Sequence, residues 1–330
     1  VKTLYVSQQG CYLCLNQELI LVKKEGKVLT DVQLPLLEQV LIFGKSQITT
    51  QAIRACLFRN IPIVYLSRMG YCYGRVLAIA RGYRQLSRYQ QQLGFPEKLL
   101  VARAIVKAKL NNSKVILQRQ QRKKSGLDLQ LIIDSLDYLI DKANSASKID
   151  KLMGYEGAGA ATYFSALSEC FTNPNLIFYS RSRRPPGNQI NAMLSFGYQV
   201  LWNHLLTLLE LQGLDPYYAC FHQGHERHAA LASDLIEEFR APIVDSLVLY
   251  LVNKNIINAE DDFVFREGGC FLNNSGRKKY LQAFVQRMEE TITNDLGEKQ
   301  PRWDLLRQQV QKIKQFFYNP IDSYKPYLIR

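Results

Sequence analysis

Short apolar runs dominate the start of the chain, and apolar positions at helical spacing dominate the rest. Over roughly the first 80 residues, TLYV, CYLCL, ELILVK, VLTDVQL and QVLIF are each four to seven residues long. Gly, Asn, Gln or Pro separates them, which predicts strands joined by turns. Ser46 or Thr49 is placed to cap a short helix through ITTQAIRACLFRN, after which IPIVYLS and YCYGRVL return to strand character. Beyond Arg75 the period lengthens. GYRQLSRYQQQLG and EKLLVARAIVKAKLNNSKVILQRQQRKK carry apolar residues at helical spacing, with Phe95-Pro96 punctuating the two. DLQLIIDSLDYLIDKA, the segment after Gly154, INAMLSFGYQVLWNHLLTLLELQG, ASDLIEEFRAPIVDSLVLYLVNK and KKYLQAFVQRMEETI continue the helical texture. The pattern predicts an α+β protein of two domains, a small β-rich module over residues 1–85 and a larger all-α domain over 86–330. Strict repeats are absent, which argues against a solenoid.

Composition narrows the function. The chain has 330 residues, with 42 Lys and Arg against 29 Asp and Glu and a formal charge of +13. Such an excess points to a polyanionic partner, nucleic acid or an acidic membrane surface. No apolar run approaches the ~18 residues of a membrane-spanning helix. The chain enters a strand pattern at once, without signal-peptide architecture. Seven cysteines, an odd number in a chain this long, do not form a disulfide framework, and the expected compartment is the cytoplasm. Cys11 and Cys14 make a C-x-x-C, but an offset of three along a strand puts them on opposite faces, so they read as structural. RQQRKK at 119–124 and KKEGK at 23–27 read as solvated charge runs that add to the positive field.

Three segments carry candidate chemistry. In KLMGYEGAGAATYFSAL, Glu156 lies among Gly154, Gly157 and Gly159. It reads either as a helix-start carboxylate complementing the macrodipole or as a metal ligand at a crowded site where glycine permits close approach. In RSRRPPGNQINAMLSFGYQVL, Arg181, Arg183 and Arg184 precede a Pro-Pro-Gly turn. Guanidinium groups suit phosphates, and the competing reading is a solvated basic loop. Asn191, in the first turn of the next helix, is placed to bond backbone or substrate. The third segment, FHQGHERHAALASDLIEEFR, holds three of the four histidines. After His222, Asp234 and Glu237 follow at i, i+3 and share one helical face. An imidazole facing two carboxylates suits Mg²⁺ or Mn²⁺ better than a thiolate zinc site. The bland reading of the two acids is the polar face of an amphipathic helix, which Glu238 and Arg240 fit equally well. A three-histidine zinc site from His222, His225 and His228 is disfavoured, because Gly224, Glu226 and Arg227 make the stretch a loop where that spacing aligns nothing. His225 and His228 read as loop histidines, and His204, beside Trp202, as a packing or hydrogen-bonding residue.

GYEGAGAATYF, RRPPGNQINAMLSFGY and the His222–Arg240 segment, in that order, resemble the CRISPR-associated adaptation integrase, the nuclease-integrase family that inserts new spacers into CRISPR arrays. The resemblance runs over essentially the whole chain. It implies a β-sandwich-like N-terminal domain that serves in dimerisation, joined to a helical catalytic domain, in a homodimer. It implies a divalent metal, Mg²⁺ or Mn²⁺, held by Glu156, His222 and Glu237, with Asp234 as an accessory carboxylate; the family often has aspartate where Glu237 stands. It also implies double-stranded DNA as substrate, both the pre-spacer and the CRISPR repeat, and a small ferredoxin-like partner bridging two dimers. The implied reaction is transesterification, in which a 3′-hydroxyl of pre-spacer DNA attacks a phosphodiester at the repeat boundary. Arg183, Arg184 and Arg240 are candidates to hold phosphates, with Asn191 and Tyr163 as further nucleic-acid contacts. Two other readings stand beside it: a structure-specific metal-dependent endonuclease acting by hydrolysis, and a non-catalytic basic DNA-binding scaffold.

Overall fold

The computed structural model describes residues 2–68, 70–79, 84–223, 228–293, 297–320 and 323–329. The N-terminal region is built from two four-stranded sheets. In the first, β1 (Lys2–Val6), β5 (Leu37–Phe43) and β7 (Ile63–Leu66) run parallel, and β8 (Cys72–Val76) closes the edge antiparallel to β7. In the second, β2 (Tyr12–Asn16), β3 (Leu19–Lys24) and β4 (Lys27–Gln33) form an antiparallel meander, and β6 (Gln47–Ile48) pairs parallel to β2. Helix α1 (Thr50–Phe58) follows, capped by the Thr49 hydroxyl, which accepts from the Ala52 amide at 3.2 Å.

The run VLIF in β5 explains how this region joins the rest. Side chains alternate across a strand, so Val40 and Ile42 enter the core between the two sheets while Leu41 and Phe43 enter the core of the helical region. A strand buried on both faces loses the polar alternation of a surface strand. The C-x-x-C is split as its strand offset predicts: Cys11 is buried beside Leu13 in the sheet core, and Cys14 is only half-buried.

Helices follow from α2 (Arg84–Gln92) onward. Helix α3 (Phe95–Lys123), with Pro96 in its first turn, packs on α4 (Gln130–Asn144) and α5 (Ile149–Glu169) in one apolar cluster. The central helix α6 (Gln189–Leu211) carries the larger cluster, with α7 (Ala230–Ile236), α8 (Ser246–Asn253), α9 (Asn274–Glu289) and α10 (Arg302–Tyr318) around it.

Three expectations are corrected here. The helical region is not all-α, because hairpins β9 (Phe263–Arg266)–β10 (Gly269–Leu272) and β11 (Thr291–Thr293)–β12 (Lys299–Pro301) lie within it. The segment ASDLIEEFRAPIVDSLVLYLVNK is not one helix. Pro242 has no amide hydrogen to continue the ladder, and residues Arg240–Asp245 form a widened π turn between α7 and α8. Nor is α7 amphipathic: every residue from Ala230 to Ile236 is buried, Asp234 included. Among the described residues, no helix is long and apolar enough to cross a membrane.

Candidate active site

Four segments distant in sequence converge where α3, α5 and the end of α7 meet. Glu156 stands in the middle of α5, not at a helix start, so the macrodipole reading is excluded. A Cβ on Gly159 would collide with the end of the Leu110 side chain, so glycine lets α5 approach α3 there. Gly154 and Gly157 face open space. One turn from Gly159, Glu156 meets the Lys109 ammonium, which Lys109 donates to Glu156 Oε1. The same ammonium lies 2.6 Å from Glu237 Oε2. The two carboxylates expected to bind a metal are thus brought together on one cation.

Glu237 is 3% exposed, and Arg240 Nη2 contacts its other oxygen at 3.0 Å. Burial disfavours its charge, but Arg240, Lys109 and His222 outweigh that and hold the carboxyl well below the usual range. Arg240 in turn lies over the Tyr198 ring, 4.6 Å from its centroid. The Tyr198 hydroxyl donates to Asp245 Oδ1, and the Tyr163 hydroxyl donates to Asp245 Oδ2 at 2.9 Å. Asp245 is fully buried, and that burial pushes its carboxyl up to about 6 despite the two tyrosines and the nearby arginines. Arg240 therefore serves first to fix Glu237, although its Nε is buried without a hydrogen bond.

Asp234 corrects the expectation of an accessory metal carboxylate. Its Oδ2 accepts from the amides of Cys220 and Phe221 at 2.7 and 3.0 Å. Its Oδ1 accepts from the His222 amide and from His222 Nδ1, at 2.8 and 2.9 Å. With both oxygens spent, Asp234 ties the incoming chain to α7 and fixes the His222 ring. Nδ1 carries the proton toward Asp234, which leaves Nε2 as the free donor atom of the ring. Burial opposes the charged imidazole, yet the Asp234 hydrogen bond and the charges of Glu237 and Asp234 prevail, and His222 titrates above its ordinary value.

The remaining histidines separate. His225 lies outside the described residues. His228 is not a loose loop histidine: its ring stacks on Trp202, and its Nε2 pairs with the Ser233 hydroxyl at 2.9 Å. His204 is the packing residue expected, with Nε2 2.6 Å from the Tyr5 hydroxyl and Nδ1 against the Gln39 amide.

Asn191 and Tyr163 are corrected as nucleic-acid contacts. Asn191 is 1% exposed. Its Oδ1 accepts from Arg181 Nη1 and the Ser182 amide, and its Nδ2 donates to the Ser180 carbonyl, which clamps the arginine loop. Tyr163 is buried with its hydroxyl on Asp245. Arg181 is likewise spent, on Asn191 and Ser195. Arg183 and Arg184 are exposed. They line a groove of about 470 Å³ together with Tyr71, Tyr73, Tyr217 and Arg240. Tyr71 and Tyr73 are 65% and 71% exposed.

Lys109 and Asn112 escaped the sequence reading, although a signal was present. Val101, Ala102, Ile105, Val106, Ile116 and Leu117 mark the buried stripe of α3, and Lys109, Asn112 and Ser113 interrupt it at i, i+3, i+4 spacing. A cation and an amide on an apolar stripe require buried partners. Asn112 donates to the Glu238 and Tyr327 carbonyls at 2.8 and 2.9 Å and accepts from the Ile329 amide at 3.0 Å.

Among the described residues, no three His, Cys, Asp or Glu side chains stand close enough together to hold a metal as they are. The donor chemistry nevertheless fits a divalent ion. Two carboxylates already share one cation, and a carboxylate-oriented imidazole lies near enough for Glu237 and Lys109 to act on its charge.

The groove lined by Arg183 and Arg184 shares Arg240 with this carboxylate and histidine cluster, and both lie in a chain with a two-sheet N-terminal region. Residues 4–286 match the family described as CRISPR associated protein Cas1, and the chain belongs to that family. It is 31% identical over 313 residues to a CRISPR-associated endonuclease Cas1 of Thermus thermophilus, spanning 94% of this chain and 95% of that one. A solved CAS1 protein from Thermotoga maritima superposes with a TM-score of 0.81 at 25% identity, covering 97% of each chain. A chain of a Cas6-RT-Cas1–Cas2 complex gives 0.83 at 25% identity, where the match covers 99% of this chain and 36% of the other.

Proposed function

We propose that this Cas1-family protein is a metal-dependent DNA integrase of CRISPR adaptation, joining 3′-hydroxyl ends of spacer DNA to repeat ends by transesterification. The observation that carries the reading is the meeting of Glu156 and Glu237 on one cation, next to a His222 ring whose Nδ1 is fixed by Asp234. Glu156, Glu237 and His222 Nε2 would hold Mg²⁺ or Mn²⁺, which would supply Lewis-acid polarisation of the scissile phosphate. The chain's own groups do the rest. Arg240 keeps Glu237 ionised and aimed, and Asp234 keeps Nε2 free. Arg183 and Arg184, exposed at the mouth of the groove, neutralise phosphates, and the exposed rings of Tyr71 and Tyr73 offer stacking faces to unpaired bases. One phosphodiester is exchanged for another, so no protein nucleophile is required.

The named relatives support the wider setting. The Thermus relative is named an endonuclease. The Cas6-RT-Cas1 relative is seen in a complex with Cas2. By resemblance we assign a homodimer that pairs through its N-terminal region and works with a small ferredoxin-like partner.

The test is strand transfer of a 3′-hydroxyl duplex into a supercoiled repeat-bearing plasmid, with the partner added, in Mg²⁺ or Mn²⁺. Joined products at repeat ends from the wild type, lost in Glu156→Gln and His222→Ala, support the integrase. Nicking without joining replaces it with a hydrolase. Salt-sensitive DNA binding with no metal-dependent product replaces it with a scaffold.

A further inference from the structure

Lys109 belongs to none of the roles expected from the sequence. It is 9% exposed, yet its ammonium is surrounded by the oxygens proposed to bind the metal: Glu156 Oε1 on one side and Glu237 Oε2 on the other. A buried ammonium and a divalent cation are alternatives there, because they need the same two oxygens. With Arg240 also on Glu237, the two carboxylates are already balanced by two cations. A divalent ion added without displacing Lys109 leaves the buried cluster with two uncompensated positive charges, at high desolvation cost.

We propose that Lys109 is a built-in competitor of the divalent ion. In the metal-free protein it neutralises Glu156 and Glu237 and keeps α3, α5 and the end of α7 together. On metal binding its ammonium leaves the carboxylates, which its flexible four-carbon stem permits; the small cavity that Lys109 borders with Glu237, Arg240 and Ser113 lies directly beside it. The proposal rests on the assignment of Glu156 and Glu237 as metal ligands.

Mn²⁺ binding to the isolated protein, read from loss of the free-ion electron paramagnetic resonance signal, tests both. The expected result is that Lys109→Met tightens Mn²⁺ binding by about tenfold or more over wild type, and that Glu156→Gln abolishes it in either background. Lys109→Met also loses thermal stability without metal and regains it on adding Mn²⁺. Wild-type or weaker affinity in a folded Lys109→Met, with binding still dependent on Glu156, overturns the competition and leaves the metal site standing. Absence of Glu156-dependent Mn²⁺ binding in both proteins overturns the metal site and the competition together.

A second measurement needs no variant at Lys109. Acylation of lysines in the wild-type protein, followed by peptide mass spectrometry, is expected to show Lys109 protected without metal and labelled in Mn²⁺. Labelling of Lys109 that Mn²⁺ leaves unchanged overturns the displacement.

Discussion

Replacing Asp234 by Asn separates two roles that a carboxylate can have beside a metal. Four donors reach Asp234: the amides of Cys220 and Phe221 on Oδ2, and the amide and Nδ1 of His222 on Oδ1. Asparagine keeps the shape but has one accepting oxygen, so whichever way the amide turns, two buried N–H donors face an NH₂ group. Each unsatisfied buried donor costs ~1–3 kcal/mol, so the variant loses about 2–6 kcal/mol. The favoured rotamer keeps the oxygen toward His222, because that side includes the ring. Glu156, Glu237 and His222 Nε2 are untouched in it. Equilibrium urea unfolding therefore shows a large drop in midpoint, while Mn²⁺ binding persists at low temperature, weakened by less than about tenfold through the lost charge behind the ring. Asp234→Ala loses both sides and weakens metal binding as well, through the freed imidazole ring. An Asp234→Asn protein with an unchanged urea midpoint and Mn²⁺ affinity reduced by about tenfold or more refutes the reasoning. It would mean that Asp234 acts on the metal site and not as a fastener of the chain.

Further outcomes follow from the buried polar groups. His204 is pushed down to about 3 by burial. The unfolded chain then binds the proton first as pH falls, and stability is lost from pH ~6.5 downward, by about 2 kcal/mol between pH 7 and pH 5. His204→Gln is expected to flatten that part of the urea-midpoint profile, and an unchanged slope contradicts the assignment. Asn112→Ala strands two carbonyls and an amide, which costs about 3 kcal/mol or more. Limited proteolysis should then cut residues 323–329 readily, and equal resistance to wild type argues against the clamp. A Cβ at Gly197 would fall on the Tyr280 hydroxyl and on Val244. Gly197→Ala is accordingly destabilised by roughly 1–3 kcal/mol in calorimetry, because both neighbours are buried.

The legible parts of the molecule are those decided by local period. Strands in the first 80 residues, the Thr49 cap, the Pro96 start of α3 and the long α6 all follow from residue type and spacing within a few neighbours. The break after Ile236 has a local cause in Pro242, yet the apolar period runs on through it and masks the π turn. Burial on a second face is not local. VLIF in β5 reads equally as a core strand of a lone module or as the seam between two cores, and only packing against α6 decides.

Resemblance singled out candidate residues, but tertiary contacts decide what each does. Asp234 and Glu237 sit one turn apart on the same buried stretch, and sequence gives no reason to treat them differently. Asp234 meets three backbone amides and an imidazole, all from residues 220–222, and becomes a fastener. Glu237 meets only cations and imidazole charge, from α3, the π turn and His222, and stays available to a ligand. The difference lies in what an oxygen lacks. A carboxylate whose lone pairs are filled by fixed backbone donors is bound for good. One neutralised by flexible Lys and Arg side chains can exchange them for another cation, and Glu237 Oε2, buried on its ion pair without a hydrogen bond of good geometry, is in that state. Exchangeable neutralisation of this kind is what a site must have if it is to be stable empty and still bind a metal.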